Sequence, residues 1–172
     1  MMNAFEALAP AYRYPRPGHL VALATAADAM PNGSAKRSYQ KFTSALAQLS
    51  LAEWEELHTR TLDLSPLFAP YVGYITWGEN YHRGAFLAAM NRAEHEAGID
   101  AEGELADHLD PVLRYLGHVD EPLVELTEVV GPAVAKMHKA LKKAEPSNPY
   151  IHLLLATRRT VDSELASTGG TE

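Results

Sequence analysis

The chain contains no cysteine. Disulfides, thiolate catalysis, iron–sulfur ligation and zinc–thiolate sites are all excluded with it, and the absence fits a reducing, cytoplasmic setting. Long apolar runs are missing too, since no segment approaches the roughly 20 consecutive apolar residues of a membrane span. The first residues, Met1-Met2-Asn3-Ala4-Phe5-Glu6, lack a basic region leading into an apolar stretch. No signal peptide and no direct membrane insertion are therefore expected. Basic charge is scarce: the net charge of −7 argues against nucleic acid as a partner.

Catalytic signatures are also lacking. There is no Gly-x-Ser-x-Gly elbow and no glycine-rich phosphate loop before a helix. The eight histidines do not fall at ligand spacing. His95-Glu96 has no second histidine four residues on, and His118 and Asp120, two apart, face different ways on a helix. The expectation is a protein that is not an enzyme and that holds neither metal nor cofactor.

What is present is an ordinary globular composition, 47% hydrophobic over 172 residues, enough for one domain with a real core. Charge is unevenly spread. From Glu94 to Glu128 there are eleven acids and one base, Arg114, so this segment carries −10 and the remainder +3. Such a face attracts a basic partner and speeds its arrival, or serves only solubility.

Nearly every segment has a helical period and none alternates as a strand does. Ala4 to Leu8 forms a first turn or two, ended by the prolines at 15 and 17. Leu20–Met30 stops at Pro31-Asn32-Gly33. A helix from Ser34 carries Tyr39, Phe42, Leu46 and Leu49 on one face. Ser50-Leu51-Ala52-Glu53 reads as a capping box for a helix that turns Trp54, Leu57, Thr61 and Leu64 inward before Pro66.

A short helix from Tyr71 to Trp77 is stopped by Gly78. Asn80 caps the next, Tyr81 to about Ala97, with Ala85, Ala88 or Ala89 and Arg92 inward beside Phe86 and Met90. Ala106–Leu116 follows with Pro111 in its first turn. Glu121–Lys143, kinked at Gly131-Pro132, has acids leading and lysines closing. A last helix runs from Tyr150 to about Val161. The fold class is all-α: a single-domain bundle of about eight or nine helices without a sheet over residues 1–162, with a flexible tail at 163–172.

Tyr71, Tyr74 and Trp77 are three apart and share one helix stripe. Core packing is the ordinary reading of such a stripe, and a binding surface is the other, with Trp77 the best placed for exposure at a helix end. Asp107-His108 also has two readings. Asp107 either complements a helix N-terminus or, with His108, binds a guanidinium or orients a peptide backbone.

The order Leu62-Asp63-Leu64, Pro66-Leu67, Tyr71-Val72, Gly78-Glu79, Arg83-Gly84, Gly98 and Glu104-Leu105-x-Asp107-His108-Leu109 resembles the TorD/DmsD/NarJ family of redox-enzyme maturation chaperones. It looks closest to the NarJ-type nitrate reductase delta subunit. Leu8 to Tyr14-Pro15 is similar to the family's opening, and Pro111-Val112-Leu113-x-Tyr115-Leu116 to the run after its Asp-His motif. Ala106 stands where the family usually has proline, and Ala93 or Glu94 where it often has tyrosine.

The resemblance implies a cytoplasmic, non-catalytic, all-helical chaperone. Its partner is the apo catalytic subunit of a molybdenum-cofactor oxidoreductase, held through the twin-arginine-type N-terminal leader until cofactor insertion. Carried over, Tyr74 and Trp77 form an aromatic groove, Arg83 and Gly84 its lining helix, and Asp107 and His108 its polar end. Tyr71, Tyr81 and Glu104 complete the candidate peptide-binding set. On this reading Trp77→Ala and Asp107→Ala weaken binding without unfolding the chain. The alternative is a helical adaptor or regulator that binds another folded protein, with the aromatics buried.

Overall fold

A computed structural model describes residues 2–65 and 68–166. Among them lie nine α-helices and no strand: α1 (Ala4–Leu8), α2 (His19–Ala29), α3 (Ser34–Leu46), α4 (Leu51–His58), α5 (Val72–Trp77), α6 (Tyr81–Glu96), α7 (Leu109–His118), α8 (Val124–Ala144) and α9 (Tyr150–Ala166). A 3-10 turn, Ala9–Tyr12, follows α1, and a π-helical turn, Thr59–Asp63, follows α4. The domain is all-α, as the periodicity predicts, and no helix among the described residues is long and apolar enough to cross a membrane.

Local chemistry sets the boundaries. Ser50 Oγ accepts from the Glu53 N–H while Glu53 Oε1 accepts from the Ser50 N–H, so the capping box at the start of α4 is formed. Asn80 Oδ1 accepts from the His82 and Arg83 N–H groups at the start of α6. Gly78 closes α5 at φ +72°, a conformation glycine takes without Cβ strain.

The C-terminal α9 is the helix the others lean on, packing along α3 and α8 and touching α1, while α2 lies on α3, α5 on α8 and α1 on α7. Tyrosines tie the core together. Tyr12 Oη bonds to Thr157 Oγ1 at 2.7 Å, Tyr39 Oη donates to the Ala7 carbonyl at 2.9 Å, and the Trp54 Nε1–H donates to Tyr150 Oη at 3.1 Å. Each hydroxyl is buried, which disfavours the phenolate and raises its pKa. Each also has a partner, as a buried polar group requires.

Several expected boundaries and faces differ. Leu64, expected inward, is 74% exposed. The Leu64 N–H bonds back five residues to the Thr59 carbonyl, and this wider turn shifts the phase that α4 had established. The buried stripe of α6 is Arg83, Phe86, Met90 and Glu94, while Ala85, Ala88 and Arg92 face solvent. A stripe with a charge at each end reads as surface in a hydrophobic pattern, so the alanines set the wrong phase.

Helix α7 starts at Leu109 and not Ala106, because His108 is extended and bridged to Tyr71 and the Leu109 N–H is taken by the Pro70 carbonyl. Helix α8 begins at Val124 and continues through Pro132. Helix α9 runs to Ala166, taking in the first four residues of the expected tail; residues 167–172 lie outside the described set.

Candidate peptide-binding groove

The stretch before α5 and the stretch before α7 are held side by side. The Val72 N–H donates to the Asp107 carbonyl at 2.9 Å and the Leu109 N–H to the Pro70 carbonyl at 2.8 Å, with Tyr71 and His108 bridged antiparallel between them. This short pairing fixes the start of α5 against the start of α7.

Asp107 is the keystone, with no exposed surface. Its Oδ2 accepts from the Gly73 N–H at 3.0 Å and from Arg83 Nε at 3.1 Å, and its Oδ1 accepts from Arg83 Nη2 at 3.3 Å. The fork-on-fork geometry is the strong form of an ion pair. The guanidinium that Asp107 binds therefore belongs to its own chain.

Arg83 carries this arrangement outward. Its guanidinium carbon lies 5.4 Å from the Tyr74 ring centroid and 5.8 Å from that of Tyr71, within cation–π reach of both. Glu79, one helical turn before it and beyond the start of α6, approaches Arg83 Nη1 at 3.9 Å.

His108 has a capping role. Its Nδ1 accepts from the Asp110 N–H at 3.0 Å, which places the ring proton on Nε2 and caps α7. Burial lowers its pKa, and the nearby Glu104, Asp110 and Asp107 carboxylates oppose that shift. The neutral ring is the form the cap needs. Tyr71 Oη donates to Glu104 Oε2 at 2.9 Å, and burial together with that carboxylate raises the phenol's pKa.

Over this frame opens a groove of about 410 Å³, lined by Asp63, Leu64, Ser65, Ala69, Tyr71, Tyr74, Glu79, Arg83 and Leu105. Exposed Leu64 and Leu105, with half-buried Tyr71 and Tyr74, supply apolar surface. Asp63, Glu79 and, through Tyr71, Glu104 make its rim acidic. Of the nine residues singled out in the sequence, Tyr71, Tyr74 and Arg83 line this groove and Glu104 adjoins it.

The others do not line it. Trp77 is half-buried, stacked on His82 at 4.2 Å and packed on Phe86 at 5.1 Å between ring centroids. Tyr81 is 94% exposed and Gly84 is exposed on α6. Asp107 and His108 are sealed beneath the groove. Sequence reading did not single out Leu64, Leu105, Asp63 or Glu79 as site residues, although each sits inside the quoted motifs. The exposure of Leu64 depends on a π-helical turn that has no residue signature. Pro66 and Leu67, part of the same motif string, lie outside the described residues.

Comparison with known sequences adds no relative. No protein-family model matches the chain, and no curated protein does. The likeness to maturation chaperones accordingly rests on the order of its motifs.

Proposed function

We propose that this protein is a cytoplasmic maturation chaperone without catalytic activity of its own. It captures the N-terminal leader of an apo molybdenum-cofactor oxidoreductase and holds the enzyme until cofactor insertion. One observation supports this reading above the others: the open groove combines exposed leucines and half-buried tyrosines with an acidic rim. A twin-arginine-type leader has the complementary make-up, apolar on one helical face and basic beside it. Helix-in-groove recognition would seat its apolar side chains on Leu64, Tyr71, Tyr74 and Leu105 and turn its basic residues toward Asp63, Glu79 and Glu104. Tyrosine side chains lose little entropy on contact and suit such a surface.

The test is titration calorimetry with a synthetic twin-arginine-type leader peptide of a molybdoenzyme. Saturable binding that weakens as salt rises is expected. Tyr74→Ala or Leu64→Ser should reduce affinity by about tenfold or more while the melting temperature holds, as for a central contact. Binding that ignores both substitutions, or no binding at all, rejects the groove as the leader site.

A further inference from the structure

Three buried carboxylates, Glu94 on α6 and Asp107 and Asp110 at the start of α7, lie close enough to repel one another, and two of them are paired with arginines. Asp107 holds Arg83, as described. Asp110, 2% exposed, holds two: Arg13 Nε lies 3.0 Å from its Oδ2, and Arg114 donates to Oδ1 at 3.2 Å and to Oδ2 at 3.1 Å. The third is Glu94. It is 3% exposed, and its Oε2 is sealed with no hydrogen-bond partner. Native structures rarely leave a buried carboxylate so.

Glu94 also lines a second hollow, of about 480 Å³, with Asn91, His95, Gly98, Ile99, Asp100 and Ala101. Its walls are fixed. The Ile99 N–H donates to the Glu94 carbonyl at 2.8 Å, and Arg114 Nη2 donates to the Asp100 carbonyl at 2.6 Å. The Asp100 carboxylate accepts from the Glu102 N–H at 2.8 Å and remains on the exposed side. The lining thus offers two carboxylates, an amide and an imidazole, with no lysine or arginine among them.

We propose that this hollow is a binding site for one organic cation, a guanidinium or an ammonium group, received by the Glu94 carboxylate with Asp100 at the rim. Among the described residues no group of three or more His, Cys, Asp or Glu side chains is arranged to hold a metal ion. Burial and the neighbouring Asp107 and Asp110 carboxylates push the Glu94 pKa up to about 8, against the pull of Arg114. At neutral pH Glu94 therefore carries a proton that a bound cation must displace. An entering cation replaces that proton, which leaves for solvent, and a charge-assisted hydrogen bond forms on the carboxylate. The site is separate from the tyrosine-lined groove, and failure of leader binding leaves it standing.

Isothermal titration of the full chain at pH 7, in two buffers of different ionisation enthalpy, tests this. The probes are N-acetylarginine amide, standing for a protein side chain, and putrescine, standing for a free amine. Saturable binding of either, with release of about one proton per cation, is expected, and the preferred probe identifies the source of the group. Glu94→Gln, which preserves shape, should weaken binding by about tenfold or more and abolish proton release. Asp100→Asn should weaken binding while release persists. The proposal is overturned if neither probe binds, if Glu94→Gln binds as tightly as the parent, or if binding releases no proton.

Discussion

At the scale of single residues, the Arg83–Asp107 pair is where the physical reading changes most. The motif suggests a polar end to a peptide site, and the carboxylate is instead spent inside the chain. Asp107→Ala would leave a guanidinium only 8% exposed without its buried counter-ion and the Gly73 N–H without its side-chain acceptor. Breaking such a pair costs about 3–5 kcal/mol. Thermal denaturation should therefore show a large loss of stability, contrary to the expectation of weakened binding in an intact fold.

The histidines give a second residue-scale prediction. Burial lowers the pKa of His19, His58, His108, His138 and His152 from 6.5, that of His58 to about 4. Below pH 6.5 the unfolded chain then binds more protons than the folded one. Stability is present above pH 6.5 and is lost as pH falls toward 4. Glu94 works in the opposite sense, since its raised pKa withdraws stability as pH rises from 4.5 through about 8. A denaturant titration at successive pH values should show His58→Gln softening the acid decline and Glu94→Gln softening the alkaline one. None of these environments was legible from the sequence, because burial of a histidine or a glutamate is decided by contacts made across the fold.

At the scale of elements, much more was legible. The capping box at Ser50, the Asn80 cap and the Gly78 stop are local chemistry, complete within a few residues, and each forms as its letters suggest. The start of α7 and the face of α6 were misplaced where long-range pairing or buried charge overrode local pattern. Two glycines show the same divide. Gly73 in α5 lies against Asp107, and a Cβ there would sit 2.7 Å from Asp107 Oδ2 and 3.0 Å from Phe86 Cδ2. Gly84 in α6 has nothing within 4 Å of that position. Gly73→Ala should accordingly destabilise by about 1–3 kcal/mol through overpacking. Gly84→Ala should stabilise by about 0.5–1 kcal/mol, because alanine loses less backbone entropy in a helix. Chemical denaturation of the two variants compares them directly. A loss at Gly84 would mean that the motif glycine has a packing role that the open space around it does not suggest.

At the scale of the whole molecule, the helices form one connected body. Helix α5, with the groove beside it, packs on α8 and places Val72 and Ile75 in the core, while α8 packs on α9, and α9 on α3 and α1. The two tryptophans report from different parts of this body. Trp54 is buried, bonded to Tyr150 at the start of α9 and stacked on His19. Trp77 sits at the end of α5 against His82 and Phe86. If the domain unfolds as a unit, both probes lose their native signal together. Trp77→Phe leaves Trp54 as the fluorophore and Trp54→Phe leaves Trp77. In each variant the fluorescence midpoint in urea should coincide with the far-ultraviolet circular dichroism midpoint of that same variant. The variants need not agree with each other, because Trp54→Phe removes the hydrogen bond to Tyr150. A Trp77 midpoint that precedes the loss of helix would show that α5 and its surroundings open before the core. The groove would then belong to a locally labile segment, able to reshape around a bound helix.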